Sequence, residues 1–271
     1  MKGSDCKVQA RLLAGGSPKG RVGSIPTLHA FEGWIHDSTD MICTSQRIQT
    51  VIIDPPYNIG FRYDAVSDSM PWDEYTSAMS AITRNCLDKL TPRGSIFFMN
   101  YPETCARLLP HLESVGCRLH QWISWVYPSN MGHSSKRWST SHRAILWMTS
   151  DECDQPYFDG YASPQPFRNP NDKRVRKRIA EGFDGVKAYD WWQINICKNV
   201  SKEHRGYSNQ LPSAILERMI LCTSREGDVI LDPVAGSGSI IPVCSKHNRL
   251  AVVQDINPLA QEIWDSWGDL A

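Results

Sequence analysis

The sequence predicts an α/β protein: a doubly wound, mostly parallel sheet carrying a small insertion. Three observations lead there. Short apolar, β-branched runs alternate with segments whose apolar residues recur at helical spacing. A glycine-rich turn stands between one such run and a helix. The stretch from Asp151 to Asp190, rich in prolines, glycines and aromatics, interrupts the alternation.

Taken in order, the first thirty residues contain Gly15-Gly16-Ser17-Pro18-Lys19-Gly20 and read as a flexible arm, bounded at 1–32. Thr50 to Asp54 is a strand of the fully buried type, stopped by two prolines. Trp72 to Leu90 carries Tyr75, Met79, Ile82, Cys86, Leu87 and Leu90 at helical spacing and stops at Pro92-Arg93-Gly94. Ser95–Asn100 is the next strand, Glu103 to Val115 a helix, Leu119 to Val126 a strand, and Arg143 to Met148 another. Beyond the interruption, Ser213 to Cys222 is helical and Asp228 to Asp232 a strand. The glycine turn then opens a helix, Leu250 to Asp255 forms the last strand, and Leu259 to Trp267 the last helix. Alternating strands and helices mean a sheet covered on both faces, with ligands outside the carboxyl ends of its strands. The segments divide as residues 33–150, an insertion at 151–190, and 191–271.

Bulk properties narrow the class. With 41% apolar and 21% charged residues, the chain has the composition of an ordinary globular protein. Formal net charge is zero, so a nucleic-acid surface requires local clustering of charge. Nine cysteines, an odd number without a C-x-x-C pair, fit reduced thiols better than disulfides or a zinc site; no metal is expected. No run approaches the roughly 18 apolar residues of a membrane span, and the N-terminus lacks a signal-peptide core. A cytoplasmic location, with no membrane partner, is expected.

Two motifs carry chemistry. Asp232-Pro233-Val234-Ala235-Gly236-Ser237-Gly238-Ser239 follows a strand and precedes a helix, where glycines let the backbone approach a ligand closely. Ile241 stands where a dinucleotide fingerprint has its third glycine, and no Lys-Ser/Thr pair marks a phosphate loop. Asp255 closes the next strand, where a carboxylate accepts from ribose hydroxyls. This arrangement suits a nucleoside without a pyrophosphate; a structural turn that binds nothing is the alternative. Asp54-Pro55-Pro56-Tyr57 ends a buried strand. Two prolines fix two φ angles and remove two N–H donors, leaving carbonyls and the Asp54 carboxylate as acceptors. Such a cluster suits a planar –NH₂ group, and Tyr57 offers a face for a stacked base. The alternative is a rigid turn with a capping Asp.

These motifs and their order resemble the amino-methyltransferases of DNA, in particular the circularly permuted β group, in which the catalytic turn precedes the cofactor loop. The similarity runs from about Gly33 through most of the chain, including Leu90-Thr91-Pro92-Arg93-Gly94-Ser95, Trp125-Val126-Tyr127-Pro128, Ser141-His142-Arg143, Trp192-Gln193-Ile194 and Tyr207-Ser208-Asn209-Gln210-Leu211-Pro212. The group usually has Lys at Tyr127, Glu at Arg143 and Lys at Leu211, so the chain departs there.

The resemblance implies a Rossmann-like methyltransferase fold with S-adenosylmethionine as methyl donor. It further implies direct attack by the exocyclic N6 of adenine, with N4 of cytosine as the alternative under the same mechanism. An RNA base methyltransferase and an inert DNA-binding relative are the remaining readings. Catalytic residues would be Asp54, Pro55, Pro56 and Tyr57. Cofactor contacts would come from Asp37, Gln210, Ser213, Asp232, Pro233, Ala235, Gly236, Ser237, Gly238 and Asp255. The insertion becomes the target-recognition segment, with residues 33–150 the catalytic half and 191–271 the cofactor half. Its run Lys173, Arg174, Arg176, Lys177 and Arg178, together with Lys136 and Arg137, supplies the DNA contacts, although a charge run can equally be a solvated face. Double-stranded DNA is the implied partner; a cognate restriction endonuclease and a homodimer remain open. Reaching a base inside a duplex requires flipping it out.

Overall fold

The computed structural model describes residues 11–13, 47–60, 69–128, 135–136, 138–197, 201, 203–204, 209–255 and 260–268. Its strands are β1 (Arg11–Leu13), β2 (Ile48–Ile53), β3 (Leu90–Asn100), β4 (Cys117–Val126), β5 (His142–Ser150), β6 (Gln165–Pro166), β7 (Gly185–Val186), β8 (Trp191–Gln193), β9 (Val229–Asp232) and β10 (Leu250–Val253). The helices are α1 (Trp72–Lys89), α2 (Pro102–Ser114), α3 (Lys173–Ala180), α4 (Ser213–Thr223), α5 (Ile240–Lys246) and α6 (Ala260–Gly268).

Eight strands form one sheet in the order β1-β10-β9-β2-β3-β5-β4-β8. β10, β9, β2 and β3 are mutually parallel, and β8 is parallel to β4. β5 runs against both β3 and β4, and β1 runs against β10. The expected doubly wound, mostly parallel sheet is therefore present. An antiparallel strand near one side and a three-residue edge strand are additions. That edge strand lies within the stretch read as an arm and caps the β10 edge; the other residues of 1–32 lie outside the described residues.

Strand periodicity sets the two layers. Val51 and Ile53 of β2 face α1 and α2, in a cluster with Tyr75, Met79, Ile82, Leu108 and Leu112. Ile52 faces the other side, packed with Ile215, Met219, Ile240 and Trp264 of α4, α5 and α6. β2 is buried on both faces, so Ile48–Ile53 shows no apolar–polar alternation, and its two polar residues, Gln49 and Thr50, are buried with hydrogen-bond partners at Thr223. α1 ends at Lys89, and β3 begins at once at Leu90, earlier than the Pro-Arg-Gly stop suggested. A register shift between Ile48 and Thr50 absorbs Pro92 at the start of the pairing.

The insertion forms its own small module. β6 and β7 pair as a two-stranded ribbon, and the basic run coils into α3, capped by the Asp172 side chain accepting from Arg174 N–H. Tyr157 N–H donates to the Arg93 carbonyl in β3 (3.0 Å), Asp159 N–H to the Cys222 carbonyl in α4 (2.8 Å), and the Asp190 carbonyl accepts from Ser124 N–H in β4 (2.8 Å). Cys86, Cys105, Cys117, Cys153, Cys222 and Cys244 are buried free thiols. Burial pushes the Cys105 thiol up to about 12, which leaves it protonated and inert. No helix of the described residues is long and apolar enough to cross a membrane.

Candidate active site

Because β2, β9 and β10 run parallel, their carboxyl ends meet at one edge of the sheet. β2 delivers Asp54 to Tyr57, β9 delivers Asp232 and the glycine turn, and β10 delivers Gln254 and Asp255. β5 runs the other way, so its first residues, His142 and Arg143, reach this same edge.

At the proline turn, the Tyr57 hydroxyl donates to Asp54 Oδ1 at 2.7 Å. The Pro56 carbonyl, expected to face the cleft as an acceptor, is instead occupied by the Tyr75 hydroxyl of α1 at 2.7 Å. Asn100 Nδ2 in turn donates to that hydroxyl oxygen at 2.9 Å, so a buried polar chain fixes the turn from beneath. Asn58, at φ +57°, closes the turn by exchanging two hydrogen bonds with Met70 (3.1 and 2.7 Å). Asp54 is half-buried. Burial raises its carboxyl to about 6, while the Tyr57 hydroxyl and the Arg143 charge pull it down.

The glycine turn is shaped by its own carbonyls and by α6. Val234 N–H donates to Asp232 Oδ1 (3.1 Å), Ala235 N–H to the Gln254 carbonyl (2.8 Å), and Gly236 N–H to Asp255 Oδ2 (2.7 Å). Gly236 and Gly238 both adopt positive φ (48° and 66°), which glycine tolerates at no steric cost. The indole N–H groups of Trp264 and Trp267 donate to the Gly236 and Ser237 carbonyls at 3.0 and 2.8 Å. Two tryptophans of α6 thus brace the turn.

Asp232 is almost fully buried, and burial holds its carboxyl far above the usual carboxylate range. The Val234 N–H lowers it; the neighbouring carboxylates of Asp54 and Asp255 raise it further. Asp232 thus feels the charge of both the proline turn and Asp255, so the ends of β2, β9 and β10 share one electrostatic environment. Three carboxylates at one edge suit a cationic ligand, and a close cation would restore the ionised form of Asp232. Among the described residues no group of His, Cys, Asp and Glu could hold a metal ion.

The remaining expected cofactor residues divide. Gln210 is buried and donates to the Glu203 carbonyl (2.7 Å), while the N–H and hydroxyl of Ser213 both donate to Glu203 Oε2 (3.1 and 2.6 Å). Glu203, not singled out in the sequence, thereby caps α4. Asp37 and Arg137 lie outside the described residues, and Lys136 is exposed. On α3, Lys173, Arg174, Arg176 and Lys177 are exposed; Arg178 lies across the Phe183 ring at 3.9 Å and donates to the Tyr161 hydroxyl at 2.9 Å. Tyr157 is bonded at the start of β3, the edge opposite the proline turn, whereas the Asp190 carbonyl accepts from Ser124 N–H near the carboxyl end of β4 (2.8 Å).

A family model described as DNA methylase matches residues 48–264. The chain is similar to the Type II methyltransferase M.HpaI of Haemophilus parainfluenzae, with 30% identity over 228 residues, 81% of this chain and 68% of that protein. It is 25% identical to the DNA adenine methyltransferase YhdJ of Escherichia coli (strain K12) over 79% of this chain and 73% of that one. Its fold is similar to the crystal structure of the M1.HpyAVI–SAM complex, with a TM-score of 0.58, 15% identity, and coverage of 82% and 89%.

Proposed function

The chain belongs to the DNA methylase family of N6-adenine and N4-cytosine methyltransferases, and from that premise we propose that it methylates N6 of adenine in duplex DNA, using the Asp54 turn and the glycine loop as one active site. It is an S-adenosylmethionine-dependent enzyme. When bound, that cofactor supplies an electrophilic methyl group on a sulfonium. The observation that supports the site assignment most is geometric: Asp54, Asp232 and Asp255 stand at the carboxyl ends of three parallel neighbouring strands, β2, β9 and β10.

In this reading Gly236 and Gly238 let the backbone close on the cofactor, and Asp255 holds its ribose hydroxyls. Asp232, with Pro233, Ala235 and Ser237, completes that cradle; Gln210 and Ser213 set the entry of α4 beside it. The extruded base stacks on Tyr57, which offsets a flipping cost of a few kcal/mol by roughly 1–3 kcal/mol. Asp54 would accept one hydrogen of the amine, with the Pro55 carbonyl rather than the occupied Pro56 carbonyl near the other, so that the nitrogen lone pair turns toward the methyl group. After transfer, the ionised Asp54 takes up the amine's excess proton.

Adenine is preferred because Asp opens the turn and because the YhdJ relative is named an adenine methyltransferase. Transfer of a tritiated methyl group to duplex DNA, followed by nucleoside analysis, decides it. N6-methyladenine is expected; N4-methylcytosine as sole product would replace adenine with cytosine in this account.

The same reading gives the module at 151–190 the role of target recognition, beside a catalytic half at 33–150 and a cofactor half at 191–271. The exposed cations of α3 would lie against phosphates. Replacing Lys173, Arg174, Arg176 and Lys177 together by alanine is expected to weaken DNA binding. It should also flatten the salt dependence by about 0.9 in log–log slope for each phosphate no longer neutralised. Arg178 is left intact because it holds Tyr161 and Phe183. Equilibrium binding across a salt series checks this, and an unchanged slope would make α3 a solvated face. The Type II relatives support a restriction-modification setting with a cognate endonuclease, and a cytoplasmic location is proposed with that role.

A further inference from the structure

We propose that Arg143 is a positioning residue of the target-base pocket, its guanidinium locking Tyr57, Tyr101 and Tyr127 into one aromatic platform beside Asp54. This deepens the function proposed above and rests on it.

Arg143 is the second residue of β5 and half-buried. Its Nη2 donates to the Tyr101 hydroxyl at 3.0 Å, and its Nη1 donates to the Tyr127 hydroxyl. The guanidinium carbon lies 3.8 Å from the Tyr101 ring centre, 5.1 Å from that of Tyr57 and 5.2 Å from that of Tyr127. Tyr101 meets Tyr57 edge to face, with ring centres 5.5 Å apart at 73°. Tyr57 is therefore fixed at its hydroxyl by Asp54 and along its ring by Tyr101 and Arg143.

A planar fork with several N–H donors can engage two phenol oxygens and cover an aromatic face at once; a lysine ammonium cannot. Arg143 and Tyr127 are hydrogen-bonded to each other, so the two side chains hold one another in place. The groups facing Asp54 are the Tyr57 hydroxyl from its own turn, Arg143 from β5, and Asp232 at the end of β9. Of these Arg143 is the cation, and its charge favours the ionised Asp54 that the amine requires.

The test compares Arg143→Gln and Arg143→Lys with the wild-type chain. Methyl transfer is followed across the acid and neutral range, with cofactor affinity by calorimetry and DNA affinity across a salt series. Arg143→Gln is expected to lower kcat roughly 10- to 100-fold, since displaced geometry at a reacting centre costs on that order. Its acid limb should move to higher pH. Arg143→Lys should return the limb toward wild type without restoring kcat, and cofactor affinity and salt slope should not change.

Wild-type kcat and limb in Arg143→Gln would overturn the inference. So would unchanged kcat with a salt slope smaller by about one, which marks a phosphate contact instead. If both variants fail to fold, Tyr101→Phe keeps the ring and the Arg143 charge but removes one anchor; a smaller fall in kcat with an unmoved acid limb is expected, and an unchanged kcat would overturn the proposal. A wild-type chain that methylates no amino group overturns the parent reading, whereas an active wild type with an indifferent Arg143→Gln overturns this one alone.

Discussion

Asp54→Ala is expected to lower kcat for methyl transfer by about 10²- to 10⁴-fold, the range a positioned proton acceptor contributes, while cofactor affinity stays nearly unchanged. The carboxylate sits at the end of β2, held by the Tyr57 hydroxyl at 2.7 Å, and no other acid of the edge occupies the proline turn. Asp255→Ala should behave in the opposite way. Its carboxylate receives the Gly236 N–H, so its loss should weaken cofactor binding first and turnover at saturating cofactor much less. Calorimetric titration of cofactor together with saturation kinetics separates the two. The reverse pattern would mean that the two motifs have been assigned each other's roles.

The same geometry fixes a pH dependence. Because the Asp54 carboxyl is raised to about 6, its ionised form grows as pH rises through that value. Turnover should therefore fall on the acid side with a midpoint near there, rather than in the ordinary carboxylate range. In stability the sign is opposite: the folded chain keeps a proton that the unfolded chain releases, so Asp54's contribution declines as pH rises from the ordinary carboxylate range through about 6.

The second large effect is on the glycine turn. In Gly238→Ala, the new Cβ would lie 2.4 Å from Trp264 Cδ1, 2.7 Å from Trp264 Nε1 and 2.9 Å from Ile241 Cδ1, at a φ of +66°. Left-handed backbone costs a non-glycine residue about 1–2 kcal/mol, and overpacking adds about 1–3 kcal/mol. A loss of about 2–5 kcal/mol in unfolding free energy is expected from these two sources. Relief by rotating Trp264 would break its hydrogen bond to the Gly236 carbonyl, so cofactor affinity should fall as well. Denaturant unfolding and calorimetry read the two effects, and a variant neutral in both would contradict this description of the turn. Gly60, also at positive φ, would meet nothing within 4 Å and offers a control for backbone strain alone.

The sheet was legible because its strands announce themselves as apolar, β-branched runs between helical patterns. Ile48–Ile53 and Leu250–Val253 fall within a residue or two of their expected places. Both motifs were legible as well, since proline pairs and glycine turns act through local backbone geometry that a short sequence window contains. Arg143 was not legible as part of the site. Its place at the catalytic edge depends on β5 running antiparallel, and strand direction is decided by connections and pairing across the sheet. Tyr101 did carry a signal, as the residue directly after a parallel strand's carboxyl end. Trp264 and Trp267 were hidden for another reason. Indole spacing on a helix reads as apolar core, and nothing in the pattern reveals that the ring N–H groups find loop carbonyls. Glu203 gave no pattern at all, because its contacts to Ser213 join residues ten apart, a separation that matches no helical or strand period.

The most direct measurement is a structure of the chain with duplex DNA and a non-reactive cofactor analogue. The account predicts an adenine out of the stack against Tyr57, its amino nitrogen hydrogen-bonded to Asp54 and roughly 3–3.5 Å from the position of the transferred methyl group, a near-attack separation. A target base still stacked in the duplex, or an amine facing away from Asp54 with the cofactor held elsewhere than at Gly236 and Gly238, would contradict it.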